Sequence, residues 1–123
     1  MKYLVASLFI IPGLINFAPI VGALSNEHIS RLYQIENLSP DVALLLRHRA
    51  FLFGIIGVFL ICSAFQMNLR TPATLAALVS MVSFTVLVFV LETSNPNLIR
   101  VAWIDIVATV VLLFGYFLHT RLK

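Results

Sequence analysis

Charged residues divide the chain into long apolar stretches. Residues 3–26, 50–69 and 71–91 contain no charged side chain. Each stretch has about the 20 residues that an α-helix needs to cross about 30 Å of hydrocarbon. The stretch 106–120 is shorter, but it reaches a similar length if Asp105 lies inside the helix. The pattern therefore predicts four helices, at about 3–23, 40–67, 72–92 and 97–119.

The predicted helix starts are marked by a capping residue followed by a proline. Ser39-Pro40, Thr71-Pro72 and Asn95-Pro96 each place a hydrogen-bond acceptor ahead of a proline at the first helical position. The linkers at 67–71 and 93–96 are short. Helices two, three and four are therefore predicted to be antiparallel neighbours.

The amino-terminal region has features of its own. Pro12 and Pro19 lie inside the first predicted helix and are expected to kink it. Residues 25–34 have the pattern of a short amphipathic helix that rests at a membrane interface. Alternatively, the first stretch is a cleaved signal peptide that ends at Val21-Gly22-Ala23. Its apolar part is longer than the usual length of about 7–15 residues, which favours a retained helix.

Composition decides the class of protein. Hydrophobic residues make up 61% of the chain and charged residues 11%, whereas a soluble domain has about 25% charged residues. Because so little polar surface cannot cover a soluble domain of this length, the chain is predicted to be an all-α integral membrane four-helix bundle. We expect one transmembrane domain over 1–123. The net charge of +3 does not indicate nucleic-acid binding, because no basic run lies on a polar face.

Motifs for soluble catalysis or metal binding are missing from the sequence. Cys62 is the single cysteine and lies in an apolar stretch, which predicts a small buried hydrophobic residue. The chain has no nucleotide-binding glycine loop and no cluster of cysteine and histidine. We therefore expect neither a metal nor a cofactor.

Basic residues at the ends of the apolar stretches indicate the orientation. Four of them lie at one face of the predicted bundle, namely Lys2, Arg70, Arg121 and Lys123. The opposite face also carries four, but three of those lie within helices rather than in loops, namely Arg47, Arg49 and Arg100. The loop asymmetry predicts that both termini are cytoplasmic.

Polar residues from all four helices are predicted to gather in one layer, in the outer leaflet. Counted at about 1.5 Å per residue, most of these residues lie about 10–13 Å from the outer helix ends. The candidate site residues are Asn16, Arg47, His48, Arg49, Arg100 and Asp105. The opposite half of the bundle is predicted to be almost free of polar atoms. Charged residues inside membrane helices are functional candidates by default.

Helical angles separate these candidates. Arg47 shares its face with Gly54, where another helix can approach closely, whereas Arg49 points nearly opposite. Arg100 is rotated by about 140° from Asp105, so these two are not expected to pair. The predicted ion pair is Arg47 with Asp105. Such a pair has a purely structural interpretation, fixing helix register, as well as a functional one.

Three segments of the chain resemble a known family. The runs NFAP at 16–19, LRHRAFLFG at 46–54 and RVAWID at 100–105 are similar to small four-helix proteins of the bacterial inner membrane, distantly DoxX-like. The resemblance spans nearly the whole chain, and it implies a bacterial inner-membrane location and the same six site residues, but no reaction.

Some members of that family are labelled phosphopantetheine adenylyltransferase, a soluble enzyme with a phosphate-binding Gly-His element. The sequence argues against that activity here, because none of its three histidines neighbours a glycine, namely His28, His48 and His119.

The leading functional hypothesis is a non-enzymatic accessory or small-ligand-binding module. Its polar layer would bind an anionic or polar head group of a lipid or another amphipathic molecule, with Arg47 and Arg49 supplying positive charge. The alternative is a membrane-embedded enzyme in which His48 is the base and the arginines hold an anionic substrate or cofactor. A third hypothesis is a transport path formed by a homo-oligomer.

Overall fold

The computed structural model describes residues 1–20 and 39–122. They form four α-helices and no strand: α1 (Lys2–Phe17), α2 (Pro40–Phe65), α3 (Arg70–Val90) and α4 (Pro96–Arg121). By length and composition, each of the four helical spans is able to cross a membrane. The all-helical, four-helix prediction is confirmed for these residues. The predicted amphipathic segment 25–34 lies outside them.

Helix α1 ends earlier than predicted. The α-helix stops at Phe17, and a short 3₁₀ turn follows at 18–20. The physical reason is Pro19, which has no N–H to donate to the preceding turn and so cannot continue the helical ladder. Pro12 is accommodated inside the helix, where it is buried. The predicted continuation to residue 23 falls in the part of the chain that is not described.

Two of the three predicted caps start their helices as expected. The Val42 N–H donates to Ser39 Oγ at 3.2 Å, and Pro40 is the first residue of α2. Likewise, Asn95 Oδ1 accepts from the backbone N–H groups of Asn97 and Leu98, ahead of α4. The third helix begins two residues earlier than predicted, because a 3₁₀ turn at Met67–Leu69 leads directly into Arg70.

The four helices form a closed ring in chain order, and helices on a diagonal share no extended contact. Gly57 of α2 packs against Gly13 and Phe17, and Gly54 packs against Ile20, so α1 and α2 are antiparallel. The hydroxyls of Thr71 and Tyr116 lie 3.1 Å apart, where the start of α3 meets the end of α4. The predicted antiparallel arrangement is thus present among the described residues.

The bundle has two ends, a terminal end and a distal end. The terminal end holds the start of α1, the end of α2, the start of α3 and the end of α4. The distal end holds Phe17, Pro40, Val90 and Pro96. Helix α2 packs more extensively on α1 than on α3, although only a four-residue connection joins α2 to α3. We call the contact between α2 and α3 the α2–α3 seam; it is the least closely packed of the four.

The buried core is mostly aliphatic and small. It centres on Phe9, Leu60, Met81 and Leu112, one from each helix, with buried alanines between them. Cys62 was predicted to be buried, but it is exposed. The reason is angular: the buried face of α2 at this level passes through Leu60, Ser63 and Ala64, and Cys62 points away from it.

Gly57 sets the closest approach between two helices. A Cβ atom at this position would lie 2.6 Å from the carbonyl oxygen of Gly13 and 2.7 Å from the amide nitrogen of Phe17. Both are backbone atoms and cannot rotate away. At Gly54, in contrast, a Cβ atom would meet the Cδ1 end of Ile20, a flexible side chain, at 2.6 Å. The contact between α1 and α2 therefore depends on glycine at 57 more than at 54.

We expect Gly57→Ala to lower the free energy of unfolding by about 1–3 kcal/mol, because α1 must move away from α2. Gly54→Ala is the matched control and should cost clearly less, since Ile20 is able to change rotamer. Unfolding of the purified protein in mixed micelles, followed by circular dichroism, measures both. Equal losses for the two variants would contradict the close contact at Gly57.

Helix α3 ends in a left-handed turn. Glu92 has φ of +53°, and the N–H of Thr93 donates to the carbonyl of Val88 at 3.4 Å. This is the position after a helix where glycine is usually found, because a Cβ atom clashes with the backbone in that conformation. Glu92 is exposed.

Replacing Glu92 by glycine should raise the free energy of unfolding by about 1 kcal/mol, since the left-handed conformation then carries no steric cost. Glu92→Gln removes the charge but keeps the Cβ atom, so it should give no such gain. The same unfolding measurement compares the two. A gain from glutamine as large as that from glycine would assign the effect to charge and not to the backbone.

Candidate functional site

The six predicted site residues separate into three groups. Asn16 and Asp105 are buried, with 4% and 6% of their surface exposed. Arg47 and Arg49 are half-buried. His48 and Arg100 are exposed. The structure therefore places part of the predicted layer inside the bundle and turns the rest outward.

Asp105 is the buried acid among the residues that the structure describes. Its Oδ2 atom is inaccessible and has no hydrogen-bond partner in the described part of the chain. The nearby hydroxyl of Thr109 does not serve it, because that hydroxyl donates to the main-chain oxygen of Asp105 at 2.7 Å. A buried acceptor without a donor is costly, so this carboxylate oxygen requires an explanation.

Arg49 is the cation that acts electrostatically on Asp105. Its guanidinium carbon lies 3.9 Å from the ring centre of Phe84 and 4.7 Å from that of Phe53. Both distances are in the range of cation–π attraction. The side chain thus bridges the α2–α3 seam, with aromatic rings against it from both helices.

The basic residue whose charge acts on Asp105 is therefore Arg49 and not the predicted Arg47. Arg47 does share the Gly54 face, but this face is turned toward α1. Arg49 lies four residues before Phe53 and eleven before Leu60, which puts all three on one side of α2. That side faces α3. Helix α2 therefore has two inward faces. The face with the glycines packs against α1, and the face with Arg49 is the one directed toward α3.

Asn16 reaches the centre of the bundle at a similar depth. Its Nδ2 donates to the Pro12 carbonyl at 2.9 Å and lies 3.6 Å from the sulfur of Met81, across the diagonal from α1 to α3. Leu8 packs against Gly115. Helices α1 and α4 run in opposite directions, so Asn16, eight residues after Leu8, lies level with position 107, eight residues before Gly115. Position 107 is two residues from Asp105, which is about 3 Å along the helix axis. Asn16 and Asp105 therefore belong to the same layer.

The remaining candidates do not join this layer. Arg100 is exposed and lies on a different side of α4 from Asp105, in agreement with the predicted rotation between them. His48 is exposed and adjoins Arg49 only along the chain. The enzymatic alternative needs His48 as a base beside a substrate, and its exposure gives that hypothesis no support.

A second polar cluster lies at the terminal end, where almost no polar atoms were predicted. Arg70 was expected to be a surface anchor, but only 7% of its surface is exposed. Its Nε donates to the Ser63 carbonyl at 3.1 Å and its Nη2 to the Ala64 carbonyl at 2.9 Å. Its Nη1 lies 3.1 Å from His119 Nδ1. The predictions of a surface anchor and of an apolar half are both wrong.

This cluster has a clear electrostatic basis. The last carbonyls of a helix have no helical partner and carry partial negative charge, so a cation there is favourable. Arg70 occupies that place at the end of α2, and Phe9 of α1 lies 5.3 Å below its guanidinium carbon. Arginine stays protonated and only donates, so His119 Nδ1 must accept and the ring proton lies on Nε2.

A signal for His119 was present in the sequence. Buried positions on α4 recur at 105, 108, 112, 115 and 119, which is the spacing of a single helical face. His119 is fourteen residues from Asp105 and therefore on the same face, but on the opposite half of the bundle. Because His119 lies near the end of an apolar stretch, it was not recognised as part of the buried face that contains Asp105.

Among the described residues, no three histidine, cysteine, aspartate or glutamate side chains are placed to hold a metal ion. Three side chains in the layer of Asp105 carry a charge or an amide, namely Arg49, Asp105 and Asn16. This set suits hydrogen bonding to a polar group of a ligand. It offers no nucleophile paired with a base.

Comparison with known proteins identifies no relative of this chain. No family model matches it, and no curated protein or solved structure is significantly similar. The DoxX-like resemblance therefore stays a prediction. The assignment of a site rests on the geometry described above.

We expect His119→Phe to lower the free energy of unfolding by about 1.5–3 kcal/mol, because a buried donor of Arg70 loses its acceptor. Combining it with Arg70→Met should cost less than the sum of the two single changes, since no charge is then left without this partner. A double-mutant cycle of unfolding in micelles measures the coupling. Strictly additive losses would contradict a direct bond between the two side chains.

Proposed function

We propose that this protein is an integral membrane protein of the bacterial inner membrane whose four helices each cross the bilayer. The 21 residues of α3 give a helix about 32 Å long, close to the hydrocarbon thickness. Large apolar side chains point outward along the helices, among them Ile55, Val79 and Val110, each more than 60% exposed. A lipid environment accounts for such a surface, whereas water does not.

The proposed orientation places both termini in the cytoplasm. Among the described residues, the terminal end carries Lys2, Arg70 and Arg121 and no acid. The described acids all lie in the distal half, namely Asp41, Glu92 and Asp105. An excess of basic residues marks the cytoplasmic side of membrane proteins. Under this proposal the Asp105 layer lies in the outer leaflet.

The proposed activity is the binding of a small amphipathic molecule, without catalysis. The observation that carries it is the Oδ2 atom of Asp105, which is buried and has no hydrogen-bond partner among the described residues. The polar group of a ligand would occupy the layer of Asn16, Arg49 and Asp105 and supply the missing bond. Its apolar part would lie against Phe53 and Phe84, which flank Arg49.

A purely structural role explains this acid less well. A buried ion pair offsets the cost of removing two charges from water only when its remaining lone pairs are also bonded. Here Arg49 acts on Asp105 through its charge, but Oδ2 receives no hydrogen bond from the residues that the structure describes. An acid kept in this condition is better explained by something that it binds.

The α2–α3 seam is the proposed route by which the ligand reaches this layer. It is the least closely packed of the four helix contacts, and Arg49 spans it. A ligand dissolved in the bilayer would enter sideways between α2 and α3 and would not need to pass through water. This route agrees with a molecule that has a long apolar part.

The test is mass spectrometry of small molecules that remain bound after gentle detergent extraction. We expect Asp105→Leu to lose the molecule that the wild type retains, while circular dichroism shows that the protein keeps its fold. A moderate loss of stability is expected, because Arg49 loses the opposite charge that acts on it. Loss of the molecule together with a retained fold is the signature of a binding residue.

Asp41→Leu is the matched control, because it makes the same substitution at an exposed acid near the distal end. It should leave the retained molecule unchanged. Equal retention by Asp105→Leu, or a wild type that retains nothing, would contradict the proposed function. A large loss of stability in Asp105→Leu would instead assign a structural role to this acid.

A further inference from the structure

The outward face of α4 carries an exposed arginine near each end, Arg100 and Arg121. Between them, exposed apolar side chains recur every three or four residues, among them Trp103, Val107 and Val110, which is the spacing of one helical face. At about 1.5 Å per residue the two arginines are separated by about 32 Å along the axis, which matches a hydrocarbon thickness of about 30 Å. Under the membrane location proposed above, Arg100 therefore lies at the distal boundary of the hydrocarbon.

Arg100 has no counter-charge within the described part of the chain. It makes no hydrogen bond, ion pair or aromatic contact there. Asp105 is rotated by about 140° from it around α4 and is buried in the bundle. Glu92, after the end of α3, is exposed and forms no ion pair with it. Because arginine stays protonated, its guanidinium at this boundary attracts an anion from outside these residues.

Trp103 lies one helical turn from Arg100, on the same outward face and closer to the middle of the bilayer. Its ring packs edge-on against Phe89 of α3, with ring centres 6.3 Å apart and planes at 79°. The side chain is nevertheless 57% exposed. Tryptophan at such a depth is typical of the membrane interface, where its ring lies at the level of the lipid head groups.

We propose that Arg100 and Trp103 form a binding site for an anionic phospholipid of the leaflet at the distal end, separate from the Asp105 layer. The lipid phosphate accepts hydrogen bonds from the guanidinium of Arg100, whose planar N–H donors match phosphate oxygens in pairs. The acyl chains lie along the apolar side chains of the same face, beginning with Trp103. Because both side chains are exposed, the site needs no movement of the helices.

A phospholipid suits this site better than a dissolved anion does. One exposed arginine contributes little affinity for free phosphate in water, whereas a lipid phosphate is held at the right depth by its acyl chains. The charge of the head group also matters. In a zwitterionic phospholipid the phosphate charge is balanced by an amine, so a lipid whose only charge is the phosphate gains most from Arg100.

The test uses the fluorescence of Trp103, the single tryptophan of the chain. The full chain is reconstituted in phosphatidylcholine vesicles in which the same fraction of lipid is replaced by brominated phosphatidylglycerol or by brominated phosphatidylcholine. Bromine quenches tryptophan only at close range, so the quenching gives the relative binding constant of each lipid beside Trp103. We expect phosphatidylglycerol to bind there about fivefold more tightly, which is the contribution of one arginine near an anionic membrane surface.

Arg100→Gln is the matched variant, and it should lower this preference to less than about twofold because the charge is lost. Arg121→Gln removes the same charge from the other end of the same face. It should keep the wild-type preference, because Arg121 is more than a screening length of about 10 Å away from Trp103. Arg100→Lys keeps the charge and should keep most of the preference. Circular dichroism checks that each variant is folded.

Equal binding of the two lipids by the wild type, or an unchanged preference in Arg100→Gln, would overturn the phospholipid site. A preference that disappears when inorganic phosphate replaces chloride at constant ionic strength would also overturn it, because the site would then bind the free anion. These outcomes leave the ligand of Asp105, which mass spectrometry measures separately, unaffected. If neither lipid quenches Trp103, both this site and the proposed membrane location are wrong.

Discussion

The Arg70 guanidinium contacts all four helices at the terminal end of the bundle. It belongs to α3, donates to the last carbonyls of α2, bonds His119 of α4 and lies over Phe9 of α1. Because these acceptors are neutral or carry only the partial charge of a helix end, the group is held without a second full charge. This fixed point holds the end of α2 to the start of α3, although the contact between these two helices is the least extensive of the four.

The helices and the depth of the polar layer were predictable because both follow from one-dimensional spacing. Uncharged stretches of about 20 residues gave the helices, and the rise per residue placed Asn16 and Asp105 at one level. The partner of Asp105 was not predictable in this way. Helix α2 presents Gly54 to α1 and Phe53 to α3, so the choice between Arg47 and Arg49 depends on which helix lies on which side.

The terminal cluster was missed for a related reason. A basic residue between two apolar stretches is typical of an orientation signal, and Arg70 fits that pattern completely. Its side chain folds back onto α2 because the main-chain carbonyls of Ser63 and Ala64, at the end of that helix, accept its hydrogen bonds. The spacing of residues in the sequence does not reveal these acceptors. Only the face shared by Asp105, Leu112 and His119 pointed to polar groups in both halves.

The two clusters differ in how far their polar atoms are hydrogen-bonded, and our proposal of a structural role for one and ligand binding for the other depends on this difference. Arg70 directs its donors at three acceptors, so the terminal cluster is complete as it stands. Asp105 has a cation within electrostatic reach, yet its Oδ2 accepts no bond from the described residues. A group that only holds helices together gains nothing from such an omission, because each missing bond weakens the fold. The incomplete cluster, next to the least closely packed seam of the bundle, is the place where we propose that a second molecule binds.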